Sequence, residues 1–185
     1  MNFKDNSINS KGIIQFCTIL KNEPSDRFSK IDFSVNYLND EGLSDYGYFI
    51  SKFPNIKTIV LSNKLSKHSL NNFFIYCQNL SNLKKINFTQ INLTYESTKQ
   101  FNELLMNNKN IEKLILATNR TIGSDGIIDI CPGIQHNIKI SQLTLNSCYI
   151  GDEGSEALAN ALFKNIDIKD INLDDNKMEL KELKH

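Results

Sequence analysis

Asp129, Cys131 and His136 lie close together in the chain and are of the types that build a thiol–imidazole nucleophile, in which a neighbouring base draws the proton from sulfur. Their placement speaks against that chemistry. Helical periodicity ends at Cys131, Pro132-Gly133 interrupts the helix, and His136 falls beyond the break, so no geometry unites the three. His68, His136 and His185 occupy separate segments and none stands in an HExxH motif, while the glycine-rich phosphate loops GxxxxGK[ST] and GxGxxG are absent. Cys17, Cys77, Cys131 and Cys148 follow no disulfide framework and form no CxxC metal pair; they fit a reducing, cytoplasmic setting. Asp170, Asp174 and Asp175 carry enough carboxylate for a hard cation, but they read more simply as a solvated strand end. Asn-x-Ser/Thr triplets at Asn79, Asn87, Asn92 and Asn119 are what chance supplies among 25 asparagines. The expectation is a non-enzyme with no catalytic residue, metal or cofactor.

What positions these side chains is a repeat. The pattern apolar-x-x-apolar-x-apolar recurs at Phe28-Ile31-Phe33, Ile56-Ile59-Leu61, Leu83-Ile86-Phe88, Ile111-Leu114-Leu116, Ile140-Leu143-Leu145 and Ile168-Ile171-Leu173, at intervals of 27 to 29 residues. Each copy continues in register. Asn36, Asn119, Cys148 and Asn176 share one position after the strand, where Lys64 and Ile91 depart from the pattern. An apolar residue and then a small one follow, as in Leu38…Gly42, Ile122…Gly126 and Ile150…Gly154. The period then changes from about 2 to about 3.6, as in Leu70, Phe73, Phe74 and Cys77, in Phe101, Leu104 and Leu105, and in Leu158 and Leu162. Each unit is therefore a short strand and an amphipathic helix of about three turns, with successive strands parallel and adjacent. The small residue at the turn is expected to bring helix and strand backbones close, and the asparagines to form a hydrogen-bonded ladder from coil to coil.

These residues resemble leucine-rich repeats of the ribonuclease-inhibitor-like class, over Ile8 to Met178 and most closely over Ile140–Met178. The resemblance implies an α/β right-handed solenoid, a horseshoe of about six 28-residue repeats with the parallel sheet concave and the helices convex. Within one domain, 1–24 reads as an N-terminal half-repeat and cap helix, 25–178 as repeats and 179–185 as a tail in which Leu180 and Leu183 allow a short helix. Departures predict irregularity: a shortened turn at Asn63 and Leu65, and an extra residue before Ile122. The unusual ends suit either a segment of a longer repeat protein or an end that stacks on another chain. The resemblance implies a non-catalytic protein-interaction scaffold. Three branches fit: an actin-cytoskeleton regulator like the CARMIL and tropomodulin repeat regions, a small-GTPase regulator like the Ran GTPase-activating proteins, and a ligand-sensing or inhibitory module. The irregular ladder tilts the choice toward the first.

At 185 residues and 21.2 kDa the chain suits one domain, and its 21 basic and 21 acidic side chains cancel. That balance sets nucleic acid aside as a partner. No apolar run is long enough to span a membrane, and MNFKDNSINSKG does not read as a secretory signal. The neutrality is a sum of unequal parts: −2 over residues 1–51, +6 over 52–113, zero over 114–151 and −4 over 152–185. On a solenoid these lie along one axis, which leaves room for a local anionic ligand at the central repeats.

A protein partner is expected on the outward strand positions. The residues assigned to it are Lys57, Val60, Lys85, Asn87 and Lys113 in the basic middle, and Ile115, Thr144, Asp170, Asn172 and Asp174 toward the acidic end. Tyr46, Phe49 and Phe53 recur at helical spacing and read as core, which leaves Tyr48 as the exposed aromatic of that cluster.

Overall fold

A computed structural model describes residues 1–24, 26–62, 64–163 and 165–179, so Asn63 and the tail with Leu180 and Leu183 lie outside the described residues. Six helices and six strands alternate: α1(Ser10–Leu20), β1(Lys30–Asp32), α2(Asp40–Ile50), β2(Thr58–Leu61), α3(Lys67–Cys77), β3(Lys85–Phe88), α4(Tyr95–Met106), β4(Lys113–Ile115), α5(Gly123–His136), β5(Gln142–Thr144), α6(Asp152–Leu162) and β6(Asp170–Asn172). The strands form one open parallel sheet in chain order, and each helix packs against the helices before and after it. The expected register holds at every step, with Ile31, Ile59, Ile86, Leu114, Leu143 and Ile171 aligned across the sheet.

Periodicity explains what is buried. The inward strand residues Ile31, Ile59, Ile86, Leu114 and Leu143 are fully buried, and so are the helix residues Leu70, Phe73, Phe74, Cys77, Phe101, Leu104 and Leu105. Tyr46, Phe49 and Phe53 are core as expected, and Tyr48 is exposed. The core changes character along the axis. From Phe3 to Phe101 it is an aromatic seam whose neighbouring ring centroids lie 4.8 to 6.3 Å apart. Beyond Phe101 it is isoleucine, leucine and alanine with Cys131 and Cys148.

The asparagine ladder forms. Asn119 accepts from the backbone N–H groups of Ile91 and Leu93 (3.0 and 3.1 Å) and donates to the carbonyls of Phe88 and Leu116 (2.7 and 2.8 Å). Asn36 and Asn176 bond their preceding coils in the same way, and the Cys148 thiol donates to the Leu116 carbonyl at 3.2 Å. Ile91 instead fills its site with apolar surface, and its carbonyl accepts from the Leu65 N–H. A second ladder, absent from the sequence reading, runs through the helix-to-strand turns at Asn108, Asn137 and Asn165, all buried. Asn137 donates to the Leu105 carbonyl one coil back, and Asn165 to the Asn137 carbonyl.

Four expectations need correction or refinement. Pro132 does not interrupt its helix: α5 runs through it to His136. Pro132 sits on the solvent side of α5, where water can take the carbonyl it leaves unbonded, and the next N–H, that of Gly133, donates to Asn102 Oδ1 at 2.8 Å. Pro132→Ala should therefore restore a helix bond and raise stability by about 2 kcal/mol, read as a higher urea midpoint. Next, the small residues admit a neighbouring helix rather than the strand. A Cβ on Gly154 would sit 2.9 Å from Ser124 Cα, and one on Gly42 2.7 Å from Ser10 Oγ. The turn after β2 is short as expected, with α3 starting six residues after Leu61 where α4 starts seven after Phe88. In the following irregular coil the residue inserted before Ile122 is absorbed by starting α5 at once on Gly123, whose φ of +61° suits glycine. Lastly, the chain opens in a strand-like segment. Asn2 bridges Asp32 in parallel, and the Phe3 and Asp5 N–H groups donate to the Asp32 and Ser34 carbonyls, extending the sheet beyond β1.

Candidate functional site

The sheet face turned away from the helices presents two aligned rows. The first is Lys30, Thr58, Lys85, Lys113, Gln142 and Asp170, and the second is Asp32, Val60, Asn87, Ile115, Thr144 and Asn172. Eight of the ten assigned residues thus share one face, and Asp174 lies just past β6. Lys57 stands apart. It precedes β2, and its carbonyl accepts from the Lys84 and Lys85 N–H groups, which aligns it with Lys84 one position ahead of the rows. A shallow hollow of about 480 Å³ lies over β1 to β3, lined among others by Lys30, Asp32, Val60, Lys85 and Asn87.

The face is held by a recurring device. A side-chain oxygen at the second row accepts from the N–H two residues on: Asp32 from Ser34 (3.0 Å), Asn87 from Thr89 (3.2 Å) and Asn172 from Asp174 (3.0 Å). The Ser34 and Thr89 hydroxyls donate to the same oxygens at 2.6 and 2.8 Å. Asp32 also pairs with Lys30 at 3.2 Å. Burial alone would push the Asp32 carboxyl up, but the Ser34 hydroxyl and N–H and the Lys30 ammonium together hold it below its ordinary value of 3.8. A carboxyl lowered in the folded chain stabilises it above the unfolded pKa, and that contribution is lost as pH falls through the folded pKa. Acid titration of the melting temperature should therefore show a loss below about pH 4 that is smaller in Asp32→Asn.

The backbone turns sharply where the strands end. Val35, Gln90, Thr118, Ser147 and Asp175 all adopt φ of +53° to +60° at equivalent positions, a costly region for the β-branched Val35 and Thr118. These turns carry residues the sequence reading passed over. Tyr37 and Tyr149 are exposed at equivalent positions on the rim, and the Arg120 guanidinium lies 5.3 Å from the Tyr149 ring with the Lys177 ammonium 4.2 Å from it. Tyrosine and arginine are the types enriched where partners bind. The signal was available: the residue preceding Leu38 matches the one preceding Ile150.

The residues weighed for chemistry are placed as follows. Asp129, Cys131 and His136 all belong to α5, and Asp129 accepts from the Thr98 hydroxyl at 2.9 Å. Burial pushes the Cys131 thiol up to about 11, which keeps it protonated. Asp175 pairs with Arg120 at 3.5 Å and accepts from the Ser147 hydroxyl at 2.8 Å, and among the described residues it gathers no cation site with Asp170 and Asp174. No helix among the described residues is long and apolar enough to cross a membrane.

No family model matches the chain. Mouse (Mus musculus) ribonuclease inhibitor is 23% identical over 185 residues, a match covering 97% of this chain and 40% of the inhibitor. The chain thus spans well under half the length of that curated relative. Strand-and-helix coils in one open parallel sheet, the asparagine ladder and this likeness agree: the fold is an α/β leucine-rich-repeat solenoid of the ribonuclease-inhibitor-like kind.

Proposed function

We propose that the chain is a non-catalytic binding module that takes a protein partner on its concave sheet. The observation that carries this reading is the sheet face itself: two aligned rows of side chains, several pinned to their own backbone, with no helix among the described residues packed over them. Preorganised side chains lose little freedom on binding, which favours association. The mouse relative is by name an inhibitor of a ribonuclease, a protein that acts on another protein, and this supports binding over catalysis. The rim residues Tyr37, Arg120 and Tyr149 border the same face and extend the surface a partner would meet. Of the finer assignments we favour an actin-cytoskeleton regulator, for which the irregular ladder, with Lys64, Ile91 and Cys148 in place of asparagine, is the support.

The test is affinity capture from the native cell, followed by binding of the captured protein to variants. Asn87→Arg and Thr144→Arg, on the sheet, should each weaken binding at least tenfold, and Glu103→Arg, exposed on α4, should leave it unchanged. The reverse pattern overturns the concave-face reading. Capture of actin or filament-end proteins supports the finer assignment, and capture of a small GTPase replaces it.

A further inference from the structure

We infer that the central sheet takes an acidic segment of its protein partner, with one carboxylate seated between Lys85 and Lys113 and an aliphatic side chain against Ile115. This deepens the proposed function and rests on it. The lysines near the strand starts are not equivalent. Lys30 is neutralised by Asp32 at 3.2 Å, and Lys84 by Glu112 at 2.7 Å. Lys85 and Lys113 are direct register partners on adjacent strands, and among the described residues neither makes a close ion pair; Glu112, the carboxylate that feels the Lys113 charge, is itself paired with Lys84. Like charges directly across a strand pair repel, so the free chain holds a repulsion that an anion between them would relieve.

The neighbouring groups define what fits. Asn87 Oδ1 is committed to the Thr89 N–H and hydroxyl, so the amide has only its N–H₂ left to offer. Two ammonium groups and an amide donor make a spot that only an acceptor satisfies. Ile115 is half-buried on the same face, in register with Asn87 and two residues from Lys113. The spot is also bounded. Thr58 and Gln142 flank it in the same row, and the carboxylates of Asp32 and Asp170 stand beyond. Two cations, bounded on one side by the neutralised Lys30–Asp32 pair and on the other by the Asp170 carboxylate, suit a single carboxylate on a protein better than a polyanion such as RNA, whose binding scales with the number of phosphates neutralised.

The test is selection of a random dodecapeptide library on the full chain, with the enriched peptides then measured against variants. The expected peptides carry Asp or Glu within two residues of Leu, Ile or Val, and Lys85→Gln/Lys113→Gln weakens them at least tenfold. The same double variant should melt about 1–2 °C higher than the parent, because the repulsion is gone. A lower melting point would mean that the lysines are satisfied within the chain and would overturn the inference. Peptides lost on Thr144→Arg but lacking acids, or indifferent to the lysine variant, overturn the inference and leave the concave-face reading standing. Peptides indifferent to both variants overturn both. Preference for a poly(U) probe over every peptide, or no enriched peptide at all, also counts against the acidic segment.

Discussion

Replacing Phe88 with alanine should destabilise the chain by about 4 kcal/mol, read from the urea midpoint. Phe88 is fully buried, with ring centroids of Phe73, Phe74 and Phe101 at 6.3, 5.7 and 5.7 Å. Truncation removes the transfer free energy of a whole ring and leaves a hole bordered by three stiff rings that cannot close it. Phe88→Leu keeps most of the volume and should cost about 1.5 kcal/mol. Leu173 occupies the same repeat position in the last strand-and-turn but is only partly buried, so Leu173→Ala should cost about 1 kcal/mol. Equal losses at residues 88 and 173 would mean that depth along the axis does not set the cost.

Asn119→Ala should cost about 3–4 kcal/mol, mostly through what it leaves behind. The Ile91 and Leu93 amides would lose the oxygen that accepts from both, and the Phe88 and Leu116 carbonyls would lose a donor. Asn119 itself is 1% exposed, so water cannot take over cheaply. Asn119→Asp separates the two roles. It keeps the acceptor for the amides but turns a second oxygen toward the carbonyls. Burial and those carbonyls raise the new carboxyl's folded pKa above its unfolded one, so this variant should recover stability as pH falls toward 4, opposite in direction to the parent. A flat pH response would show that the carbonyl side of the ladder contributes nothing.

Much of this was legible in the order of residues. The strands, their register and the ladder follow from period alone, because a coil that cannot bury its own apolar face has one way to stack. The errors have physical reasons. Pro132 was read as a break because proline removes a helix hydrogen bond wherever it stands; on the solvent side, away from the apolar stripe of Ile127, Ile130 and Ile134, water takes the freed carbonyl and the helix continues. The second ladder escaped because Phe53 and Leu80 hold its position in the earlier coils, so Asn108, Asn137 and Asn165 show no chain-long repeat. The opening strand escaped because Met1 and Phe3 are too few apolar positions to show the triplet. The concave rows were legible, but the pairing of Lys30 with Asp32 and the register of Lys85 on Lys113 emerge only with side chains in place.

The four thiols have a consequence for how such a stack comes apart. Cys17, Cys77, Cys131 and Cys148 are buried and free, and burial holds every one above its ordinary pKa, Cys17 at about 12. None reacts while its coil is closed, so each becomes a clock for its own coil. In a one-dimensional stack, ends open at lower free energy than the middle. Labelling order among these cysteines therefore reports whether the solenoid unzips from one end or melts as a block, with no probe added to the chain.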